Sequence, residues 1–576
     1  MSRSRAPKVN LRLRLYGVLL VFGVAGSGLL ARAIDLQVLR KDFYQDQGDA
    51  RYLREVPIPA YRGSISDRNG EPLAVSTPVV SLWADPGKLL ESRERLPDLA
   101  AALGLDSDAL TEKLEQRKAR EFVYLERHLS PEKAQRVLAL ELPGVNQQRE
   151  FRRYYPGGEV FGHVLGFTNI DDRGQEGIEL AYDHWLAGQP GRKRVIRDRL
   201  GRVVDTVEQV EPPQPGGDLT LSIDRRLQYL AYRELKSAML ENRASSGSVV
   251  VLEVATGEVL AMVNQPSYNP NSRQRVDTSF LRNRALTDVF EPGSVIKPFT
   301  VAAALESGKF KTDTVIDTSP GTLVVANHTV KDIHSYGKLD LAGILAKSSN
   351  VGATRLAQGM SNDHIWDMFH RFGFGQPTGS GFPGEAAGVL AEANRWGPVE
   401  KATISYGYGI STTALQLAQA FATLANGGRM RAPTFVKGAA GPSTAVIDPL
   451  LAAQVSQMLE TVTAPGGTAT RANVDHYTVA GKTGTARKIG GGAYQSRYIS
   501  VFAGYAPAAR PRVACVVVID DPKAGAYYGG AVAAPVFSQV VGGALRLLNV
   551  PPNSDDQWPQ TMVAAVDEAY AEPVEP

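Results

Sequence analysis

Glu291-Pro292-Gly293-Ser294-Val295-Ile296-Lys297-Pro298 runs directly into residues 299–306, an apolar stretch with helical spacing. Pro292-Gly293 interrupts whatever precedes it. Pro298 is tolerated only in a first helical turn, where the N–H groups have no intrahelical partner. The pattern therefore predicts a helix that starts at Ser294. Positions i and i+3 share a helix face, so the spacing lets the Lys297 amine reach the Ser294 hydroxyl. A serine hydroxyl is a poor nucleophile until a base takes its proton. Lysine serves as that base only with a depressed pKa, and desolvation, neighbouring cations and the positive end of a helix all act in that direction.

Ser-x-x-Lys alone is a weak signal. Ser130-Pro131-Glu132-Lys133 and Ser335-Tyr336-Gly337-Lys338 match it as well. The first reads as a helix cap followed by proline, the second as a loop. Two motifs further along the chain set Ser294 apart. Ser348-Ser349-Asn350 ends an apolar helical pattern (Leu339, Leu341, Ile344, Leu345), and Lys482-Thr483-Gly484-Thr485 lies on a strand-like stretch. A lone strand lysine is ordinarily solvated, but Gly481 and Gly484 around Lys482 let a ligand approach the strand closely. Ser-x-x-Lys, Ser-x-Asn and Lys-Thr-Gly, in that order, are the signature set of penicillin-binding proteins and serine β-lactamases.

With these motifs the chain resembles the class B penicillin-binding proteins, and within them the division-type branch (FtsI-like, penicillin-binding protein 3). The resemblance extends over nearly the whole chain. Arg62-Gly63-Ser64-Ile65-Ser66-Asp67-Arg68-Asn69-Gly70, Arg153-Tyr154-Tyr155-Pro156-Gly157-Gly158 and Gln175-Glu176-Gly177-Ile178-Glu179 resemble the non-catalytic motifs of class B. Tyr406-Gly407-Tyr408-Gly409-Ile410 is also similar to the family. Read without the family, these are turn and salt-bridge residues of a structural domain. The resemblance implies peptidoglycan cross-linking through an acyl-enzyme. Ser294 would attack the penultimate D-Ala carbonyl of a stem peptide, and Lys297 would take its proton. Ser348 with Lys482 would pass a proton to the leaving amine. Asn350 would bind the substrate backbone, and Lys482, Thr483, Gly484 and Thr485 the end of the substrate that carries its carboxylate. The backbone N–H groups of Ser294 and Thr485 would form the oxyanion hole. Tyr498, Tyr527 and Tyr528 would line the acyl pocket; as bare aromatics they read equally as core. The implied partners are stem peptides, β-lactam antibiotics, membrane lipid, and an FtsW-like glycosyltransferase with other division proteins.

Residues 15–31 carry no charge over 17 positions. At about 1.5 Å per residue such a helix spans roughly 25 Å, near the lower limit for a bilayer core. Arg3, Arg5, Lys8, Arg12 and Arg14 lie at or before its start with no acid among them, which holds the N-terminus in the cytoplasm. The expected layout is a basic arm over 1–14, a single anchor over 15–36 in the inner membrane, and the rest of the chain in the periplasm. Ala31-Arg32-Ala33 is similar to a signal-peptidase site, and a cleaved leader is the competing reading. The formal net charge of +3 sits in the arm, so no nucleic-acid partner is implied. The single cysteine excludes an intrachain disulfide framework. It sits in an apolar strand at 513–519 and reads as a buried hydrophobe. The histidines lack metal-ligand spacing and no phosphate-binding glycine loop appears, so neither a metal nor a cofactor is expected.

Pro212-Pro213-Gln214-Pro215-Gly216-Gly217 marks a boundary. Residues 40–217, the pedestal of the resemblance, read as short β-like runs with a helical insert at 96–116 and a second helix capped by Ser130 and Pro131. Residues 218–550, the transpeptidase domain, open on a hairpin (249–254 and 258–263 around Ala255-Thr256-Gly257). They continue through helical patterns over 294–428 and return to strands at 478–485, 499–505 and 512–520, before a helix at 535–548. Strands at both ends with helices between them predict an antiparallel sheet assembled from distant segments, an α+β fold. The acidic tail 551–576 is expected to be disordered. A serine β-lactamase shares the acylating motifs, but no Glu-x-x-Leu-Asn lies between Asn350 and Lys482. The pedestal motifs also argue against it. A scaffold that retains the motifs without turnover is the alternative from a different class.

Overall fold

A computed structural model describes residues 11–41, 53–197, 203–272, 276–490 and 493–553. The basic arm before residue 11 and the tail beyond residue 553 lie outside the described residues. Leu11–Ile34 is an α-helix that continues into a π-helical turn at Asp35–Leu39. The apolar stretch Arg12–Leu39 is long enough to cross a membrane and buries none of its surface on the rest of the chain. It spans residues 15–36, where the sequence leads us to expect a single anchor.

Contacts divide the chain into two units that interleave in sequence. One holds the described parts of Met1–Tyr61, Pro78–Arg152 and Gly188–Pro215; the other holds Arg62–Thr77, Arg153–Ala187 and Gly216–Pro576. In the first unit, Gly191–Arg197 pairs antiparallel with both Leu53–Ile58 and Val203–Glu211. The expected helical insert is present but in two pieces, Leu96–Leu103 and Ser107–Glu115. Gly104 closes the first piece in the left-handed region and the Asp106 side chain caps the second by accepting from Ala109 N. The apolar spacing runs through the break because both pieces bury the same stripe: Leu99, Leu103, Leu110 and Leu114 share one core. Ser130 caps Pro131–Leu138 through Lys133 N, so its Ser-x-x-Lys match is structural.

The second unit is built on a five-stranded antiparallel sheet, ordered Val259–Gln265, Ser246–Glu253, Val513–Asp520, Ala493–Ala506, Ala480–Gly490. The sequence hairpin forms with Val249 opposite Val263. Val249 also faces Val517 on the other side, so segments more than 260 residues apart meet in the middle of the sheet. The three strands at its start and centre bury nearly every residue, without the alternation of a one-sided sheet, because helices cover both faces. Cys515 lies in the central strand, fully buried, and burial raises its thiol pKa. Ala414–Ala425, opened by a capping box of Thr413 and Gln416, is buried along its length. Phe421 on that helix meets Phe299 on Lys297–Glu306 edge to face at 5.6 Å, and Phe372 and Phe374 close around the same ring. This aromatic core fixes the start of the Lys297 helix against the sheet.

The class B motifs in this unit form one buried ion cluster. Glu179 receives Arg62 Nε on one carboxylate oxygen and Arg153 Nε on the other, each at 2.6 Å, and all three side chains are essentially inaccessible to solvent. Arg62 continues to Asp183 at 2.6 Å and to the Glu179 carbonyl at 2.8 Å. Asp67 accepts from the backbone of Asn69, Glu71 and Arg225 and so pins the Asp67-to-Gly70 turn to the start of a helix at Arg225–Glu241.

Candidate active site

The Ser294 motif sits where expected, with one refinement. Gly293–Ile296 is a 3₁₀ turn, and the α-helix proper starts at Lys297, with Pro298 in its first turn. Gly293 takes φ +55, a conformation glycine adopts without strain, and its N–H donates to Gly407 O at 3.0 Å. A Cβ on Gly407 would overlap Gly293 O, so the Tyr-Gly-Tyr-Gly stretch is needed for close backbone contact. On the other side runs the Lys482 strand, Ala480–Gly490. A Cβ on Gly484 would come within 2.7 Å of Pro292 O. Glycine there is what lets this strand lie against the Ser294 turn.

Three segments converge on one oxygen. Lys297 Nζ lies 2.5 Å from Ser348 O, 2.8 Å from Asn350 Oδ1 and 3.2 Å from Ser348 Oγ. Lys482 Nζ lies 3.0 Å from the same Ser348 Oγ, 3.2 Å from Thr483 O and 3.3 Å from Thr483 Oγ1. Both lysines have no exposed surface, whereas Ser294 is half-buried at the opening. Among the described residues, Lys297 makes no hydrogen bond to Ser294; its amine turns to Ser348 and Asn350. Ser348 itself adopts φ +58, which directs its side chain between the two amines.

Two buried ammonium groups on one hydroxyl repel strongly in a low-dielectric site. Burial lowers the Lys297 pKa well below its usual value; the nearby Lys482 charge adds to this, and Asp332 opposes it. Burial lowers the Lys482 pKa to about 7. A hydrogen inventory fits one proton fewer than two full ammoniums. Lys482 as an ammonium has three donors for its three acceptors. Lys297 as a neutral amine donates to Ser348 O and Asn350 Oδ1 and accepts from the Ser348 hydroxyl. The file Lys482–Ser348–Lys297 then has every group satisfied and can hand a proton along it.

Sequence reasoning missed the group that holds this arrangement. Asp332 accepts from Ser349 Oγ and from Asn350 N, both at 2.5 Å, and from Val351 N at 3.0 Å. It therefore caps the Asn350–Gln358 helix from outside, while Ser349 caps it through Gly352 N. No local pattern marks Asp332; only the return of the His328–Lys331 strand beside that helix brings it there. The three tyrosines stack in order. Tyr498 lies on Tyr527 at 4.1 Å and 16°, and Tyr527 on Tyr528 at 4.6 Å and 30°. Gly529, the next residue, donates to Thr485 Oγ1 at 3.1 Å, which ties the stack to the Lys-Thr-Gly strand.

This fold and motif set define a penicillin-binding transpeptidase. The penicillin-binding protein transpeptidase domain family matches residues 247–542, and the penicillin-binding protein dimerisation domain family matches 57–221. The peptidoglycan D,D-transpeptidase FtsI of Escherichia coli is 44% identical over 533 residues, covering 91% of this chain and 90% of that one. The probable peptidoglycan D,D-transpeptidase PenA of Neisseria meningitidis is 43% identical over 545 residues, covering 94% and 93%. A peptidoglycan synthetase structure from Bifidobacterium adolescentis covers 88% of this chain and 98% of its own, with a TM-score of 0.70 at 27% identity. The transpeptidase domain of penicillin-binding protein 3 from Burkholderia pseudomallei covers 58% and 98%, with a TM-score of 0.54 at 42% identity. The chain belongs to the FtsI family of peptidoglycan D,D-transpeptidases.

Proposed function

We propose that this chain cross-links peptidoglycan stem peptides during septal wall synthesis, with Ser294 as nucleophile. The observation that carries the reading is the pair of inaccessible lysines on Ser348 Oγ beside the Ser294 turn. Binding of a stem peptide places a backbone N–H on Asn350 Oδ1 and draws that oxygen away from Lys297. Neutral Lys297 then takes the Ser294 proton as Oγ attacks the penultimate D-Ala carbonyl. The oxyanion is held by the N–H groups of Ser294 and Thr485, where one donor is worth about 3 kcal/mol of barrier. Ser348, supplied by Lys482, protonates the departing D-Ala amine. The amine of a neighbouring stem then attacks the acyl-enzyme and returns Ser294. Lys482, Thr483 and Thr485 bind the terminal carboxylate, with Gly484 giving room beside the strand, and Tyr498, Tyr527 and Tyr528 bound the acyl pocket. A β-lactam takes the first half of this path and stops at the acyl-enzyme.

The remaining parts of the proposal rest on the resemblance. The anchor places the catalytic domain in the periplasm. Residues 40–217 act as a pedestal domain and residues 218–550 as the transpeptidase domain. An FtsW-like glycosyltransferase and other division proteins meet the anchor and pedestal. The test is fluorescent penicillin on the full chain in detergent, with the adduct located by peptide mass spectrometry. A slowly decaying adduct on Ser294 is expected. Rapid turnover would favour a β-lactamase, and a folded but unlabelled chain would leave a scaffold.

The lysine pair carries two further expected outcomes. The second-order acylation rate should be bell-shaped in pH. It rises as Lys297 loses its proton and falls above about pH 7 as Lys482 loses the charge that attracts the carboxylate. The limbs belong to the coupled pair as macroscopic values. A rate independent of pH between 5 and 9 would sink the assignment. Asp332→Asn keeps an acceptor for the Asn350 and Val351 N–H groups but removes the charge that raises the Lys297 pKa. Its rising limb should move to lower pH, with a loss of about tenfold at the optimum from the weakened turn. A loss with the limb unmoved would make Asp332 a purely structural cap.

A further inference from the structure

The loop at 464–469 touches the Lys-Thr-Gly strand and the residue just before the Ser-x-Asn motif. Lys347, the residue before Ser348, donates from Nζ to Gly466 O at 2.8 Å. Two residues on, Thr468 Oγ1 lies 3.1 Å from Thr483 Oγ1 of the Lys-Thr-Gly strand. The loop is held by its own backbone: Gly467 N donates to Ala464 O at 2.9 Å and Ala469 N to Val462 O at 3.0 Å, with Ala469 fully packed. Arg471 reaches Ala531 O at 3.1 Å, and glycine at 530 leaves room for the Thr468 carbonyl against the turn after Tyr528. Thr468 itself is exposed, although the hydroxyl it pairs with is buried. Thr468 thus sits between residues whose backbones are held on either side, its carbonyl packed on Gly530 and its side chain exposed, so its hydroxyl is placed for a ligand.

The hydrogen inventory gives it a task. Lys482 Nζ donates into Thr483 Oγ1, so the Thr483 proton points away from the lysine and is free to donate to Thr468 Oγ1 or to a ligand. We propose that Thr468 is a further specificity-determining residue, whose hydroxyl donates a second side-chain hydrogen bond to the terminal carboxylate that Thr483 binds. The inference rests on the assignment of that carboxylate to the Lys482–Thr485 strand. In the free enzyme the two hydroxyls share one hydrogen bond. An arriving carboxylate accepts the Thr483 proton, and the Thr468 hydroxyl rotates to donate to the second carboxylate oxygen. Charge-assisted bonds of this type are about twice as strong as neutral ones, so the exchange favours binding of an anion over its uncharged analogue. Lys347 adds coupling, because the same loop is tied to the Ser348 segment that delivers the leaving-group proton.

The test compares benzylpenicillin with its methyl ester on the full chain, read as acylation of Ser294 by mass. Thr468→Val removes the hydroxyl at nearly constant shape. It should lower the second-order rate for the free acid by about tenfold, through weaker binding with the limiting acylation rate nearly kept. The ester rate should change by less than about twofold, and Thr468→Ser should restore the acid rate. Equal losses for acid and ester would make Thr468 a structural residue, and an unchanged acid rate would remove it from the site. Thr468→Ala provides the same readout should the valine variant fail to fold, and melting curves distinguish the cases. Absence of wild-type labelling at Ser294 would instead refute the underlying function, before any variant is compared.

Discussion

Lys297→Met lowers the rate of Ser294 acylation by about 10³- to 10⁴-fold and leaves the protein folded. The size reflects the role proposed for the amine: a positioned general base contributes about 10²- to 10⁴-fold, and here the same group also orients Ser348. Folding survives because methionine fills the volume of the lysine stem without an ammonium to desolvate. Lys297 has no solvent-accessible surface, so the native amine is held there at a desolvation cost. The variant is therefore expected to melt at or above the wild-type temperature while losing its reaction with penicillin. That combination distinguishes a catalytic amine from a structural one. Lys297→Arg should lose as much activity and also stability, since a guanidinium stays charged in the same closed space beside Lys482. Acylation of Lys297→Met within tenfold of wild type, measured by gel or stopped-flow fluorescence, would transfer the base role to Ser348 and Lys482.

The parts of this site that were legible in the sequence are those carried by local rules. Pro292-Gly293 before Ser294 and Pro298 after Lys297 fix a helix start whatever the surroundings. The hairpin around Ala255-Thr256-Gly257 and the apolar run at 513–519 announce strands by composition. Gly484 was readable as a close-approach residue, although its partner, Pro292 O, was not. What stayed hidden depends on contacts between segments far apart. Asp332 and Thr468 lie in unremarkable polar stretches and matter only because tertiary packing brings them to Ser349 and Thr483. The i, i+3 rule puts Ser294 and Lys297 on one face, with the amine within reach of the Ser294 hydroxyl. It did not foresee that the amine turns to Ser348 and Asn350, since competing acceptors decide where a flexible lysine points. The helical insert broke at Gly104 because the left-handed closure leaves the apolar stripe intact, so periodicity alone could not reveal it.

Glu179→Gln removes about 3–5 kcal/mol of stability, the second large effect expected. The carboxylate is fully buried with an arginine on each oxygen, and neither arginine has solvent to fall back on. Arg62 retains Asp183, whereas Arg153 keeps longer contacts with Arg62 O and Ser76 Oγ and the attraction of the nearby Asp172 carboxylate, and its Nη2 has no hydrogen-bond partner among the described residues. The cost therefore concentrates on Arg153, which loses its one hydrogen-bonded carboxylate among the described residues in a low-dielectric site and keeps only the longer-range attraction of Asp172. A glutamine keeps the shape and one acceptor, so the loss measures charge and not volume. Denaturant unfolding should show a lower midpoint at an unchanged slope. Adding Arg153→Met to Glu179→Gln should recover part of the loss, because the stranded charge goes with it; the double change should cost less than the sum of the singles by about 1–3 kcal/mol. Strict additivity would mean that the two groups are not coupled, and that the cluster holds the motif segments together by packing alone. Penicillin labelling per folded molecule should be unchanged in all of these variants, since none of the exchanged groups reaches Ser294, Lys297 or Lys482. A parallel loss of labelling in folded protein would instead show that the ion cluster sets the geometry of the acylating site, and would give the class B motifs a role in catalysis as well as in stability.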